Sequence, residues 1–257
     1  MALALFSLAG KTALVTGGNG GLGLTFARAL QAAGAAVAVT GRDAAKNAAA
    51  AAALGPDALV LPLDVRDEPA VERAVAAVVE RFGGLDVLVA NAGNFKGAAT
   101  TELARDAWDD VVSTHLTGAM LSAKHAARAM IARGRGGKIV TIGSMYSVFG
   151  SPRSAPYTAA KHGVIGLTKS LAVELAPHGI QVNAILPGWF ETDLSRGLPA
   201  TPRGENIRRK TPAGRWGDLD ALAGTIIYLA SAASDFVTGA SIPVDGGYLV
   251  SDRFSDA

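Results

Sequence analysis

The 257-residue sequence predicts an α/β fold, a single-domain Rossmann-type doubly wound parallel sheet of about seven strands with helices on both faces. Three observations carry that expectation. Short apolar runs alternate with amphipathic stretches from one end of the chain to the other. A glycine-rich turn, Gly17-Gly18-Asn19-Gly20-Gly21-Leu22-Gly23, separates the first such run from the first helical pattern. Several later runs end on polar or glycine residues, where open α/β sheets place a ligand crevice.

Taken in order, Thr12-Ala13-Leu14-Val15-Thr16 is the first strand, and the helix after the glycine turn runs through Leu24, Phe26, Ala27 and Leu30 to Gly34. Strand, glycine turn and helix together form a phosphate cradle. Glycine lets the backbone approach a pyrophosphate, and the helix N-terminus offers N–H donors and positive dipole. Residues 35–40 form the second strand, followed by Gly41-Arg42-Asp43. An acidic residue at that strand end would take ribose hydroxyls. Arg42 instead suits a 2′-phosphate, so NADP is the preferred cofactor and NAD the alternative. Asp43 is expected to cap the alanine-rich helix that follows.

Residues 58–63 form the third strand, ending at Asp64-Val65; Asp64 either accepts the adenine amino group or caps a turn. Pro69 to Phe82 reads as an amphipathic helix with Val71, Val75, Val78 and Val79 inward. Leu85 to Val89 is the fourth strand, closed by Ala90-Asn91-Ala92-Gly93, with Asn91 bracing the site. Asp106 to about Ile131 is a single long helix. The strand Lys138 to Gly143 then ends at Ser144, Ile180 to Leu186 is the sixth strand, and a helix near Ala221–Ala230 precedes strand Ser241–Val244. Residues 191–215, poor in periodicity and rich in Pro, Arg and Gly, read as a substrate lid within about 190–215.

The whole chain, 1–257, reads as one unit, with 49% hydrophobic and 18% charged residues. A net charge of +2 gives no electrostatic footprint for nucleic acid or membrane. No cysteine is present, which excludes disulfides, thiolate catalysis and Cys-ligated metals. His115, His125, His162 and His178 show no metal spacing, so no metal is expected. The opening segment lacks a basic region, and no apolar run reaches membrane-spanning length; a cytoplasmic protein is the expectation.

Tyr157 and Lys161 lie four apart, on one face of the helix after Ser144, which stands 13 residues upstream of the tyrosine. An ammonium beside a phenol favours phenolate and lowers its pKa, an acid–base device. On spacing alone, an amphipathic Tyr and a snorkelling Lys explain the pair equally well.

Together these stretches resemble the short-chain dehydrogenase/reductase family over essentially the full length. Thr16-Gly17-x-x-x-Gly21-x-Gly23 is similar to that family's cofactor loop, Asn91-Ala92-Gly93 to its bracing motif, and Pro187-Gly188-x-x-x-Thr192 to the segment that holds the nicotinamide carboxamide. Ser144, Tyr157 and Lys161 match its catalytic residues. The resemblance implies an oxidoreductase that moves a hydride between NADP(H) or NAD(H) and a carbonyl or secondary alcohol. Tyr157 would exchange the proton, Ser144 would bind the substrate oxygen, and Lys161 would bind the ribose and depress the tyrosine pKa. Gly17, Asn19, Gly21, Leu22, Gly23, Arg42, Asp64, Val65, Asn91, Ala92, Gly93, Tyr157, Lys161, Pro187, Gly188 and Thr192 would hold the cofactor.

One position departs from the pattern. Where the family carries an Asn in its long helix to hold a relay water, this chain has His115, followed by Leu116-Thr117-Gly118. Imidazole also holds water and titrates near neutrality, so His115 is a catalytic candidate; the alternative is a satisfied buried histidine.

Within the family the chain is most similar to gluconate 5-dehydrogenase-like members, through Leu5-Phe6-Ser7-Leu8-Ala9-Gly10-Lys11, Ser144-Met145-x-Ser147, Pro187-Gly188-x-Phe190-x-Thr192 and Thr211-Pro212-Ala213-x-Arg215-Trp216-Gly217-Asp218. A small-molecule polyol, keto-sugar or sugar acid is then the expected substrate. A 3-oxoacyl-thioester reductase and a catalytically silent cofactor-binding scaffold are the alternatives. Arg153, Arg203, Arg208, Arg209 and Lys210 are carboxylate-binding or merely solvated, while Tyr146, Phe149, Trp189 and Phe190 suit an apolar pocket. The family implies a homotetramer or homodimer paired through the long helix and the Tyr157 helix, with Ala123, Ala126, Ala127, Ala159, Leu167 and Leu171 as compatible packing positions.

Overall fold

The computed structural model describes residues 2–192 and 195–252. Seven parallel strands form one sheet: β1 Thr12–Thr16, β2 Ala36–Gly41, β3 Leu59–Pro62, β4 Val87–Ala90, β5 Gly137–Ile142, β6 Ile180–Pro187 and β7 Ser241–Val244. Their order is β3-β2-β1-β4-β5-β6-β7, so the winding reverses between β1 and β4, where ligand crevices open in such sheets.

The strands are mostly apolar because both faces are covered. In β1, Ala13 and Val15 point into one core layer and Leu14 into the other, the two-residue period of a strand. The first layer packs under α1 (Gly21–Ala32) and α8 (Ala223–Ala230), with Phe26, Leu30, Ile226 and Leu229 buried. The second lies under α3 (Glu68–Phe82), α5 (Gly118–Arg133) and α6 (Ala155–Leu175). Asp43 caps α2 (Ala44–Leu54) by accepting from the Lys46 N–H at 3.0 Å, and Asp67 caps α3 through the Ala70 N–H. In α3, Val71, Val75 and Val78 are buried, whereas Val79 is half-buried against the second layer.

Two elements differ from the sequence expectation. The stretch read as one long helix is α4 (Arg105–Val112), a π-helical turn over Ser113–Thr117, and α5. A single wide turn leaves the apolar periodicity almost intact, which hides it from a pattern reading. The stretch read as lacking periodicity contains α7 (Pro202–Lys210), started by Thr201, whose hydroxyl accepts from the Gly204 N–H at 3.1 Å. Its only buried positions are Gly204 and Ile207, too few for a visible apolar stripe. Asn183 plays a structural role. Its Nδ2 donates to the Val237 carbonyl at 2.7 Å and its Oδ1 accepts from the Ala240 N–H at 3.0 Å, tying β6 to the approach of β7.

Candidate functional site

Two cavities of about 320 and 210 Å³ run along the carboxyl edge of the sheet and share Gly17, Asn19, Lys46 and Gly93 in their walls. The backbone that builds them tolerates no side chains at two of the glycines. A Cβ on Gly23 would lie 2.2 Å from the Gly17 carbonyl oxygen, and Gly17 itself sits at φ +62° with Ala92 pressed against it. Asn91 holds this loop to β1: its Nδ2 donates to the Thr16 and Gly17 carbonyls, each at 3.0 Å, and its own N–H donates to Thr16 Oγ1. Leu22 and Gly21 lie on the wall at the start of α1, and Pro187, Gly188 and Thr192 face them from the end of β6. This long polar-backbone cleft at a helix N-terminus fits a dinucleotide.

The smaller cavity takes in Arg42, Asp64, Val65 and Ala92. Asp64 lines this cavity and also caps a turn, accepting from the Arg66 N–H and held by the Arg66 guanidinium at 2.5 Å. That contact holds its carboxyl below the usual range. Arg42 stands 3.8 Å from Asp64 and is half exposed at the cavity rim. Lys46, on the first turn of α2, lines the same wall and was not anticipated; its signal is a second cation four residues after Arg42.

The larger cavity contains Ser144, Tyr157, Lys161 and His115. Ser144 closes β5 and starts a short turn in which its backbone N–H donates to Ser147 Oγ at 3.1 Å. Ser147 Oγ in turn donates to the Lys161 carbonyl at 2.8 Å, so a residue known only as part of a motif locks Ser144 to α6. Lys161 is buried, and its Nζ donates to the Ile142 carbonyl at 2.6 Å and lies 5.5 Å from the centre of the Tyr157 ring. Burial pulls the ammonium down to about 7. Tyr157 is enclosed by Tyr146, Phe95 and His115 in edge-to-face contacts. Burial pushes the phenol up to about 12, a hydrogen bond with Ser144 pulls it back, and Tyr146 adds to the rise. Burial thus dominates the phenol, and the lowering expected from Lys161 does not offset it.

His115 sits in the π-helical turn, 5% exposed, its ring edge-on to Tyr157 at 5.1 Å. Its Nε2 lies 2.7 Å from the Asn94 carbonyl and 3.1 Å from the Asn94 N–H. Nε2 thus meets a donor and an acceptor at once: it accepts from the Asn94 N–H when the ring proton is on Nδ1, and donates to the carbonyl when it carries the proton itself, leaving Nδ1 a lone-pair acceptor. That Nδ1 is buried without a hydrogen-bond partner. Burial and then the charge of Lys161 drive the imidazole down to about 3. The neutral-range titration expected of His115 is therefore lost, and it stands as a neutral ring. Gly93 makes room for it: a Cβ there would be 2.4 Å from its Cε1. Asn94 is itself held by Asp110 at 2.7 Å, and Asp110 by Arg66 and Lys96, a support that sequence reading missed because its members lie far apart in the chain.

Of the basic candidates, Arg208 and Arg209 pair with Glu205, and Arg153 is exposed and lines neither of these cavities. Ala123, Ala126 and Ala127 are buried in the chain's own core, so they are not free to pack a second copy. Among the described residues no group of three or more His, Cys, Asp or Glu could hold a metal ion, and no helix is long and apolar enough to cross a membrane.

Comparison with known proteins adds an independent line. The family model described as enoyl-(acyl carrier protein) reductase matches residues 17–249. The chain is 42% identical to gluconate 5-dehydrogenase of Gluconobacter oxydans (strain 621H), over 96% of this chain and 98% of the relative. It is 38% identical to sorbitol dehydrogenase of Cereibacter sphaeroides, over 95% and 99%. The crystal structure of a gluconate 5-dehydrogenase from Burkholderia cenocepacia J2315 in complex with NADP and tartrate superposes with a TM-score of 0.92 at 41% identity, covering 98% of this chain and 100% of that one. With the motifs, the sheet order and these near-full-length matches in agreement, the chain belongs to the short-chain dehydrogenase/reductase family of NAD(P)-dependent oxidoreductases.

Proposed function

We propose that this chain interconverts the carbonyl and secondary-alcohol forms of a keto-sugar, polyol or sugar acid, with NADP(H) preferred over NAD(H). The observation that carries the reading is that Tyr157, Ser144 and Lys161 line one end of a dinucleotide-shaped cleft, with the Lys161 ammonium 5.5 Å from the centre of the Tyr157 ring. Relatives that act on gluconate or sorbitol support a polyhydroxylated substrate and do not favour an acyl thioester or a silent scaffold. The Arg42 and Lys46 cations at the rim of the second cavity support a 2′-phosphate.

When bound, the cofactor supplies or accepts the hydride. Gly17, Gly21, Leu22 and Gly23 would hold its pyrophosphate, Val65, Ala92 and Gly93 its adenosine half, and Pro187, Gly188 and Thr192 its nicotinamide end. Ser144 donates to the substrate oxygen, and Tyr157, kept protonated by burial, gives its proton to that oxygen in the reducing direction. Lys161, held near neutrality, can resupply it. His115 serves as a neutral anchor: with the ring proton on Nε2, its Nδ1 lone pair would accept from a water, as a carbonyl would. Residues 190–215 act as the lid in this reading, except that Asp193 and Leu194 lie outside the described residues. The protein works in the cytoplasm as a homotetramer or homodimer, supported by apolar Met120 on α5 and Val173 on α6, which are 38% and 80% exposed.

Three outcomes test this account. Paired assays with NADPH and NADH on 5-ketogluconate, neutral ketoses, an aryl ketone and an acetoacetyl thioester should give turnover on the polyhydroxylated compounds with NADPH favoured. Arg42→Ala should reduce that cofactor preference by about tenfold; an unchanged preference removes Arg42 from the site. For His115, His115→Ala should lower kcat by about tenfold or more and His115→Asn by less, measured at fixed pH; equal rates in all three proteins would sink the anchor role. The third concerns stability. Because the folded pKa of Lys161, about 7, lies below its ordinary 10.5, the unfolded chain binds more protons between those values. Lys161 therefore costs stability most fully below pH 7, and the cost fades as pH rises toward 10.5. Thermal melts of the cofactor-free protein should show Lys161→Met gaining most over wild type at pH 6, with the gap shrinking steadily by pH 9.5; a gap independent of pH contradicts the burial of a titrating ammonium.

A further inference from the structure

Beside the Tyr157 cleft lies a separate cavity of about 500 Å³, walled by aromatic rings and by one face of α7. The helix sorts its basic residues by face. Arg208 and Arg209 are turned outward and held by Glu205, whose carboxyl they pull down to about 2, while Arg208 also donates to the Gly214 carbonyl. Arg203 and Lys210, seven apart and on the same face as buried Ile207, line the cavity instead. Lys210 Nζ lies 4.3 Å from the centre of the Tyr248 ring and 5.2 Å from that of Phe149, and the Arg203 guanidinium is 6.0 Å from Trp189. These ring faces steady the two cations. No acidic residue lines this cavity, and among the described residues neither cation has a carboxylate partner. The cavity adjoins the reacting group: Trp189 lines both spaces, and the Tyr146 ring sits 5.8 Å from Tyr157 and 6.2 Å from Trp189.

We infer that this cavity is the acid end of the substrate site, in which Lys210 and Arg203 bind the carboxylate of a keto or hydroxy sugar acid while the carbon chain lies against Trp189 and Tyr248. The inference rests on the reductase reading above and narrows it to acids over neutral polyols and ketoses. A carboxylate supplies the two cations with the charge-assisted hydrogen bonds that the protein does not. Desolvation beside four aromatic rings strengthens them, and carbon-bound hydrogens of a sugar pack on ring faces at little cost.

The test compares 5-ketogluconate, L-sorbose and fructose 6-phosphate as substrates with saturating NADPH, in wild type, Lys210→Met, Lys210→Arg and Arg203→Met. Gluconate binding by calorimetry in the presence of NADP provides a readout without turnover. We expect each Met variant to raise the KM for 5-ketogluconate and weaken gluconate by about tenfold or more. The KM for L-sorbose should stay within about twofold of wild type, kcat within about threefold, and Lys210→Arg should recover most of the loss. Equal effects on acid and neutral ketose, or a wild-type preference for the phosphate ester or for L-sorbose, would overturn the carboxylate assignment while leaving the reductase intact. Absence of turnover on every carbonyl compound would overturn both.

Discussion

The hydrogen bond from the Lys161 ammonium to the Ile142 carbonyl, 2.6 Å long, is the contact on which the site depends. It joins the last residue of β5 to the helix that carries Tyr157. Two further links reinforce it: Ser147 Oγ donates to the Lys161 carbonyl, and the Thr141 and Thr168 hydroxyls meet at 2.6 Å one layer deeper. With α6 fixed on the strand end in this way, the distance between Ser144 and Tyr157 is set by the sheet and not by the loop between them. That loop, through Gly150, Pro152 and the positive-φ residue Arg153, is then free to vary. The arrangement costs stability, because an ammonium is taken from water to meet a single carbonyl. It also yields a cation whose protonation changes near neutrality.

A second constraint comes from the crowding of titratable groups. Lys161, Tyr157 and His115 share one buried space, and they cannot all keep their aqueous pKa values. The phenol stays protonated, the imidazole is stripped of its proton, and the lysine is left between. The π-helical turn makes this possible by bringing His115 into the gap over Gly93, where an ordinary α-helical turn would rotate the following residues differently. Behind it, Asn94, Asp110, Arg66 and Asp64 form a continuous polar chain that reaches from the imidazole to the second cavity.

The sheet was legible because each strand is a short apolar run between glycine or polar punctuation, and β1 with its glycine turn reads as a phosphate cradle on local spacing alone. Spacing brought Ser144, Tyr157 and Lys161 together, since two are a helical turn apart and the third follows the preceding strand, but their catalytic roles were read from the family resemblance and not from spacing. What escaped depends on distant residues. Whether the Tyr157 pKa falls or rises is decided first by burial, which spacing does not report. The state of His115 is decided by burial and then by Lys161, and the sorting of Arg203 and Lys210 from Arg208 and Arg209 needs the helix that weak periodicity concealed. Lys46 was overlooked because it follows a capping aspartate and reads as an ordinary solvated helix residue.

We propose the Tyr157 hydroxyl as the proton-transferring group of an NADP(H)-dependent reaction in this cleft. Tyr157→Phe tests it most directly, with NADPH binding followed by fluorescence and carbonyl reduction followed in the same preparation. NADPH affinity should stay within about tenfold of wild type while turnover falls by about 10² to 10⁴. Turnover within tenfold of wild type, with folding and NADPH binding intact, would contradict it.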